Sequence, residues 1–587
     1  MKISGSKKYL PFIVLCIFAL CFIYKLTTPI SDPDLFWHLA NAKWIIENRM
    51  LPDHDPFTFT TQPYAYGFYQ NTFFTMTSYW LAQLLIYFFY FSGGYWGILI
   101  LRILIFSGCI GMLFKWLREK GYSLSETLLF LVPAAWALSV FVGERPNQLT
   151  YLFSIISLYY IYAVRDRNSK GWLLIPIMIL WANCHGGFIL GMIIIAMFTA
   201  FETLDFILQR RQGKINAGYQ KALLIYGMSL LACGINPSGF RVFPLLMETA
   251  RSNDPTQIAE FLSPFTLFST WGNHVPLLIA VTGSVVFLTG LILGAKKRAG
   301  DIILSGGLFL FLILLAFKSI RYIPFLVLPV PAVATYLKPY LDRLGPLFKH
   351  VLVSLLLILF IAYLPPLQNT VLKAPLVNSM YPENLVNFMK INNIRDKMFN
   401  IYDIGGYLLW MLYPDQKVFI DGRGLVQKVF LAHQAVAHGF KMDTYGLGLP
   451  DWKSVLYSYN IKNIILTPLM INGTMYELVD RLYEDPEWRL VYIDSSSGAM
   501  LFRNDMLLPE LPKIVAYSNI LLHALKYRAQ RPENPNIYIT IAKVQLILGR
   551  KSEAIKELEE AIKQNPGFRP RSPGKALEDV TNNRIWW

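Results

Sequence analysis

The stretch Ser31–His38, SDPDLFWH, carries two carboxylates one residue apart and a histidine one helical turn after the second. A carboxylate so placed can serve as a general base towards an attacking hydroxyl or amide. A second can hold a divalent cation, Mg or Mn, against a phosphate. Asp32 and Asp34 are thus candidates both for catalysis and for a cation. His38 shares a helix face with Asp34 and could orient a carboxylate or touch a phosphate. The same string also reads as a helix start, with Ser or Asp at the cap, Pro in the first turn and Asp34 complementing the dipole. For Asp32 both readings stay open. PDHDPF (52–57), with Asp53, His54 and Asp55, reads as a proline-bounded turn.

Further along, Arg145 in GERPNQ and Arg321 in KSIRYIP offer guanidinium forks that match phosphate oxygens. A lone arginine at such a place would simply snorkel. WANCHGG supplies Asn183 and His185 at a glycine corner, INPSGF supplies Asn236 in a turn sequence, and AEFLSP supplies Glu260. Asp421 and Arg423 end what reads as a strand in KVFIDGRG, a position where open α/β sheets often place ligand contacts. A plain turn is the competing reading there. No Cys and His spacing suits zinc, and neither a P-loop nor a serine elbow is present. A divalent cation at Asp32 and Asp34 is the one cofactor these residues suggest.

The elements that must position these groups follow from composition. The chain has 587 residues, 54% hydrophobic and 16% charged, with mean hydropathy +0.39. Soluble domains carry about 25% charged residues, so an integral membrane protein is expected. The net charge of +16 sits in short clusters between apolar runs: KWLREK (115–120), RDRNSK (165–170), QRRQGK (209–214), AKKR (295–298) and KPYLDR to FKH (338–350). Cytoplasmic loops look like this, which argues against nucleic acid as partner. The five cysteines lie in or beside apolar segments, so no disulfide framework is expected.

With those clusters and the N-terminus in the cytoplasm, spans near 9–26, 95–114, 126–142, 149–164, 171–184, 187–206, 220–235, 275–294, 302–317, 322–337 and 350–365 alternate consistently, giving about 11. The aromatic segment 79–91 is read as an interfacial or re-entrant helix within a large first outer loop at 27–94. The unusual polar residues then fall on the outer face, and such groups near membrane depth usually mark a site.

Domain 1–370 would be this polytopic part. Residues 371–510 alternate helix and strand signals, which predicts an outer α/β domain with strands at KMFNIYD, KVFIDGRG, KNIILTP, WRLVYID and GAMLFR. In 511–587, Tyr538, Ala542, Leu548, Gly549, Ala554, Leu558, Ala561 and Pro566 fit one tetratricopeptide unit. One repeat cannot stand alone. It must pack on the preceding helix, on the α/β domain, or on a protein partner.

Taken in order, DPDLFWHLANAKWI, ERPNQLTYLF, WANCHGGFILG, INPSG, AEFLSP, SIRYIPF, NIYDIGGYLLWMLYP and KVFIDGRG resemble bacterial members of the C-type (GT-C) glycosyltransferase superfamily. Protein O-mannosyltransferases and the oligosaccharyltransferase catalytic subunit are related folds. The resemblance implies a polyprenyl-phosphate-linked sugar donor and an acceptor protein, lipid or glycan. It implies transfer at the outer face of the inner membrane. The family's catalytic aspartate in the first outer loop would fall on Asp34, with Asp32 as rival. Related sequences carry Glu before the Trp in the segment matching TSYWLAQ, where this chain has Tyr79. A non-catalytic membrane scaffold of the same fold, presenting an outer protein-binding domain, is the alternative.

Overall fold

The computed structural model describes residues 6–61, 73–211, 217–244, 261–271, 274–294, 299–366, 375–376, 380–440, 451–470, 472–532 and 534–564. The chain divides into two compact units. Unit 1 comprises Met1–Asp32, Asn41–Leu51 and Phe73–Leu376; unit 2 comprises Pro33–Ala40, Pro52–Thr72 and Val377–Trp587. The boundary expected at 370 thus falls at 376, the first loop is shared out between the units, and the C-terminal helices belong with the sheet.

Unit 1 is helical. Its helices are α1 (Ser6–Lys25), the later turns of α2 (Asp34–Asn48), α3 (Trp80–Glu119), α4 (Leu124–Leu138), α5 (Asn147–Arg165), α6 (Leu174–Cys184), α7 (Phe188–Arg211), α8 (Ala217–Ala232), α9 (Pro264–Trp271), α10 (Val275–Gly294), α11 (Ala299–Lys318), α12 (Val330–Leu341) and α13 (Pro346–Ala362). Each apolar segment expected to span is helical. Among the described residues three helices are long and apolar enough to cross a membrane: Trp80–Glu119, Phe188–Ile207 and Val275–Gly294. A fourth results if Ile320–Val327 and Val330–Leu341, bent by 49°, count together.

The 40 residues of α3 would reach about 60 Å at 1.5 Å per residue, twice a hydrocarbon core of about 30 Å. The helix breaks within that length, at Gly93 and Gly94, where Gly94 takes φ +57°. The break separates the aromatic segment at 79–91 from the apolar stretch that follows.

Large apolar side chains such as Phe91, Leu231, Ile292, Leu314 and Ile358 point outward, as a lipid-facing surface requires. Inside, Phe106, Leu131, Ile155, Trp181, Phe198 and Phe309 belong to one buried cluster. Hydrocarbon is as apolar as a leucine, so close packing must supply the attraction between helices. Glycines allow it: a Cβ on Gly294 would fall 2.7 Å from the Tyr336 ring, bringing α10 onto α12.

One charged pair is sealed into this bundle. Arg102 on α3 and Glu144 form an ion pair with both side chains 2% exposed. Arg102 Nη1 also donates to Leu26 O at 3.0 Å and Thr28 O at 2.6 Å, tying down the chain after α1.

Unit 2 is built on a four-stranded sheet in the order β1 (Met398–Asn400), β2 (Asn463–Leu466), β4 (Met500–Arg503), β3 (Arg489–Ile493). β1 runs parallel to β2, and the other pairs are antiparallel. Around it lie α14 (Glu383–Ile391), α15 (Tyr402–Leu412), α16 (Gln427–Ala437), α17 (Trp452–Ser458) and α18 (Glu477–Glu484).

The strand expected at KVFIDGRG does not join the sheet. Val418 forms an isolated parallel bridge with Thr58, and the Asn400 amide takes the next backbone groups, accepting from Phe419 N at 2.9 Å and donating to Ile420 O at 2.7 Å. With those groups satisfied, no ladder extends.

α19 (Lys513–Gln530), α20 (Pro535–Ile547) and α21 (Lys551–Gln564) complete unit 2. The last two form a hairpin that closes on Ala542, Ala554 and Leu558. It packs on the preceding helix through Arg528 and Glu557, and on the sheet part through Thr540 Oγ1 to Gly473 O at 2.8 Å. Pro566 lies outside the described residues.

Replacing Arg102 by Met strands a buried Glu144 and should destabilise the detergent-solubilised chain by about 3–5 kcal/mol. Adding Glu144→Gln should recover much of that loss. Thermal unfolding of the single and double variants reads this; equal stability of wild type and Arg102→Met would refute it.

Candidate functional site

In unit 1 the sequence-expected residues converge around the start of α5 and the α6–α7 corner. The carboxylate of Asp32 pairs with Arg145. The backbone comes close enough because residue 143 is glycine, where a Cβ would fall 2.7 Å from Asp32 Oδ2. An arginine therefore stands against the carboxylate that was a candidate cation ligand. Among the described residues no group of three or more His, Cys, Asp or Glu is arranged to hold a metal ion.

His185 follows the last turn of α6. Thr150 Oγ1 lies 2.8 Å from its Nδ1, and Gly187 N–H donates to the same atom at 2.9 Å. Nδ1 is thus the acceptor, leaving the proton on Nε2. Burial, reinforced by the positive charges of Arg321 and Arg145, pushes its pKa down to about 3. His185 is therefore a neutral hydrogen-bonding group near two guanidiniums. The ring of Tyr79 lies 5.5 Å from that of His185. Arg321 follows Ser319, whose hydroxyl accepts from Arg321 N–H at 3.2 Å, and its guanidinium lies 5.3 Å from the Phe261 ring.

Two other candidates are structural. Asn183 accepts from Trp80 Nε1 at 2.9 Å and donates to Ile235 O at 2.7 Å, so it fastens three segments. Asn236 closes a turn on itself, donating to Cys233 O at 2.7 Å and accepting from Ser238 N at 2.8 Å. Glu260 lies outside the described residues.

In unit 2 the first two turns of α2 carry Asp34 and His38. His38 is buried and its ring packs on that of Trp37. Phe36 anchors the turn, edge-on to Tyr381 and Tyr407 at 4.8 and 4.9 Å. Asp34 lies against the turn at 421–423: a Cβ on Gly422 would fall 1.9 Å from its Oδ1. A side chain at 422 would push that carboxylate aside.

Arg423, expected as a ligand contact, is spent within the protein. Its Nε donates to Asp421 Oδ1 at 2.7 Å and its Nη1 to Asp55 Oδ1 at 2.8 Å, with the side chain 1% exposed. Asp55 also accepts from Phe57 N at 3.0 Å and from Thr58. Burial alone would raise the Asp55 pKa; the Arg423 charge and these hydrogen bonds reverse that and hold it below its ordinary value. Asp421 and Arg423 thus shape the turn that receives Asp34.

The sequence reading gave no role to Asp403, in the first turn of α15. Gly406 of that helix abuts the Pro33 carbonyl, where a Cβ would fall 2.8 Å from the oxygen, and Tyr407 packs on Phe36. At three and four residues' spacing Asp403 shares this face, which lies on the first turn of α2, where Asp34 sits. Burial of its carboxyl raises its pKa. The signal in the sequence was an acid one turn before a Gly-Gly pair.

Compared with known proteins, the chain matches no family model and no curated protein sequence.

His433 steadies α15 by accepting from Tyr402 N–H at 3.0 Å, and burial pushes its pKa down to about 3. Below its unfolded value of about 6.5, the unfolded chain takes up a proton that the folded chain refuses. Stability should therefore fall as pH drops from about 6.5 towards 3, by about 1.4 kcal/mol per unit for this one group. His433→Gln keeps an acceptor for Tyr402 without titrating. Its unfolding midpoint, followed from pH 7.5 to 4.5, should decline less steeply than wild type; identical slopes would refute the assignment.

Proposed function

We propose that this chain is a membrane glycosyltransferase of the GT-C type, moving a sugar from a polyprenyl-phosphate-linked donor to an acceptor protein, lipid or glycan. The observation that carries the reading is the grouping of Arg145 and Arg321 about a neutral His185, beside Asp32, in a bundle of apolar helices. Such a group suits a lipid phosphate, since guanidiniums match its oxygens and His185 adds an uncharged donor. The chain would cross a bacterial inner membrane about eleven times. Its N-terminus and basic loops would be cytoplasmic, and the sheet unit with its tetratricopeptide-like hairpin would lie outside.

In the proposed reaction Asp34 takes the proton of the acceptor hydroxyl or amide as the acceptor atom bonds to the anomeric carbon. The bond from that carbon to the phosphate oxygen breaks, and its electron pair leaves with the phosphate. Direct displacement inverts the anomeric centre. The leaving group keeps a negative charge, so Arg145 and Arg321 stabilise it electrostatically, which is worth more here than protonation. Asp32 holds Arg145 in place. Gly422 fixes the direction of Asp34, and the hairpin helps hold the acceptor.

The second reading, a non-catalytic scaffold, is favoured by Tyr79, whose ring stands at His185 where related sequences have Glu.

For the enzyme, Asp34→Asn should lower glycan product by about 10²-fold or more in a chain that still inserts and folds. Gly422→Ala should do nearly the same by displacing Asp34. Product unchanged in Asp34→Asn would sink the catalytic assignment. If both Asp32→Asn and Asp34→Asn are silent in cells while deletion of 511–587 abolishes the phenotype, the scaffold reading replaces it.

A further inference from the structure

A cavity of about 620 Å³ opens in unit 1 where the end of α3, the start of α4, the end of α12 and the start of α13 meet beside Pro11 of α1. Its walls carry Arg118, Lys338 and Lys349, with His350 beside them. Two carboxylates partly balance these cations. Glu126 accepts from Lys349 Nζ at 2.6 Å and lies 3.7 Å from Lys338 Nζ, which also pairs with Asp342.

Two helices start here. α4 opens with a full capping box, Ser123 Oγ accepting from Glu126 N–H while Glu126 Oε2 accepts from Ser123 N–H at 2.8 Å. α13 opens at Pro346. The C-terminal ends of α3 and α12 offset the dipoles of these two starts, and the surplus of Arg118, Lys338 and Lys349 over Glu126 and Asp342 leaves the lining net positive, which favours an anion.

The rim is of the opposite character. Beside Pro11, Leu10, Phe12 and Ile13 are 42%, 61% and 51% exposed; beside Pro346, Leu347 and Phe348 are 76% and 52% exposed. A soluble anion has no use for such a rim. A molecule with an anionic head and apolar chains uses both parts. We propose that this cavity binds the phosphate-bearing headgroup of an anionic membrane phospholipid, whose acyl chains lie along the exposed apolar faces of α1 and α13. The site stands apart from the group around Asp32 and does not depend on the transferase reading.

The test uses the full chain in non-ionic detergent, with the unfolding midpoint followed as phosphatidylglycerol, phosphatidylcholine or inorganic phosphate is added. Native mass spectrometry counts retained lipid. Phosphatidylglycerol should raise the midpoint saturably and stay bound, while phosphatidylcholine and inorganic phosphate at equal concentration should do neither.

Arg118→Gln and Lys349→Gln should each weaken phosphatidylglycerol binding about fivefold. Lys349→Gln also removes a partner of Glu126 and could unfold the chain. Arg118→Gln leaves the Glu126 pairs in place and then carries the test. An equal effect of phosphatidylcholine, or unchanged phosphatidylglycerol affinity in Arg118→Gln, overturns the proposal. A full response to inorganic phosphate also overturns it, since the site would then belong to a free anion.

Discussion

A guanidinium group with 1% of its side chain exposed has lost nearly all its water, and it survives at Arg423 because two carboxylates replace that water. Asp421 is two residues away and bends the chain back on itself. Asp55 comes from a distant part of the sequence, steadied by Thr58 and by Phe57 N–H. Together they hold the 55–61 loop against the 418–424 segment, where Thr60 Oγ1 reaches Phe419 O at 2.6 Å. The charge fixes the turn, the turn fixes Gly422, and Gly422 leaves room for the Asp34 carboxylate. Losing either aspartate would leave a buried cation, so the three residues are conditions for one another.

Unit 1 obeys the same constraint in a more apolar setting. Arg102 is satisfied by Glu144 and by the carbonyls of Leu26 and Thr28. Arg145 follows Glu144 in the chain and pairs with Asp32 instead. Adjacent residues thus serve two separate ion pairs. His185 avoids the cost of charge by remaining neutral, with Nδ1 accepting two hydrogen bonds. In an environment that penalises unpaired charge, such a collection is expensive to keep. The expense suggests a use beyond folding.

The helical bundle was legible because apolar length and charge spacing are local properties, and each expected segment is a helix. So were most strands, since β-branched and aromatic runs announce themselves at NIIL and RLVYI. What misled was KVFIDGRG. Its residues suit a strand, but Asn400 and the 57–59 backbone claim its hydrogen bonds, and neither could be foreseen from a stretch of eight residues. Arg423 looked like a ligand contact for the same reason: its partner Asp55 lies far off in sequence, in what read correctly as a structural turn. Asp32 illustrates the opposite case. The string SDPD left cap and cation ligand open, and gave no sign of the partner that its carboxylate has, an arginine more than a hundred residues away.

The two aspartates of SDPD therefore have different lives. Asp32 is mostly buried and committed to Arg145, so its charge is already spent on holding a guanidinium in place. A base must keep its carboxylate available to a substrate proton, and an aspartate bound to arginine is poorly suited to that. Asp34 is less buried, and its carboxylate lies against the backbone of Gly422. Asp403 lies on the helix face that packs on the same turn, in surroundings whose burial raises its own pKa. The two environments differ accordingly: Asp32 is held by the Arg145 guanidinium, and Asp34 lies against the Gly422 backbone.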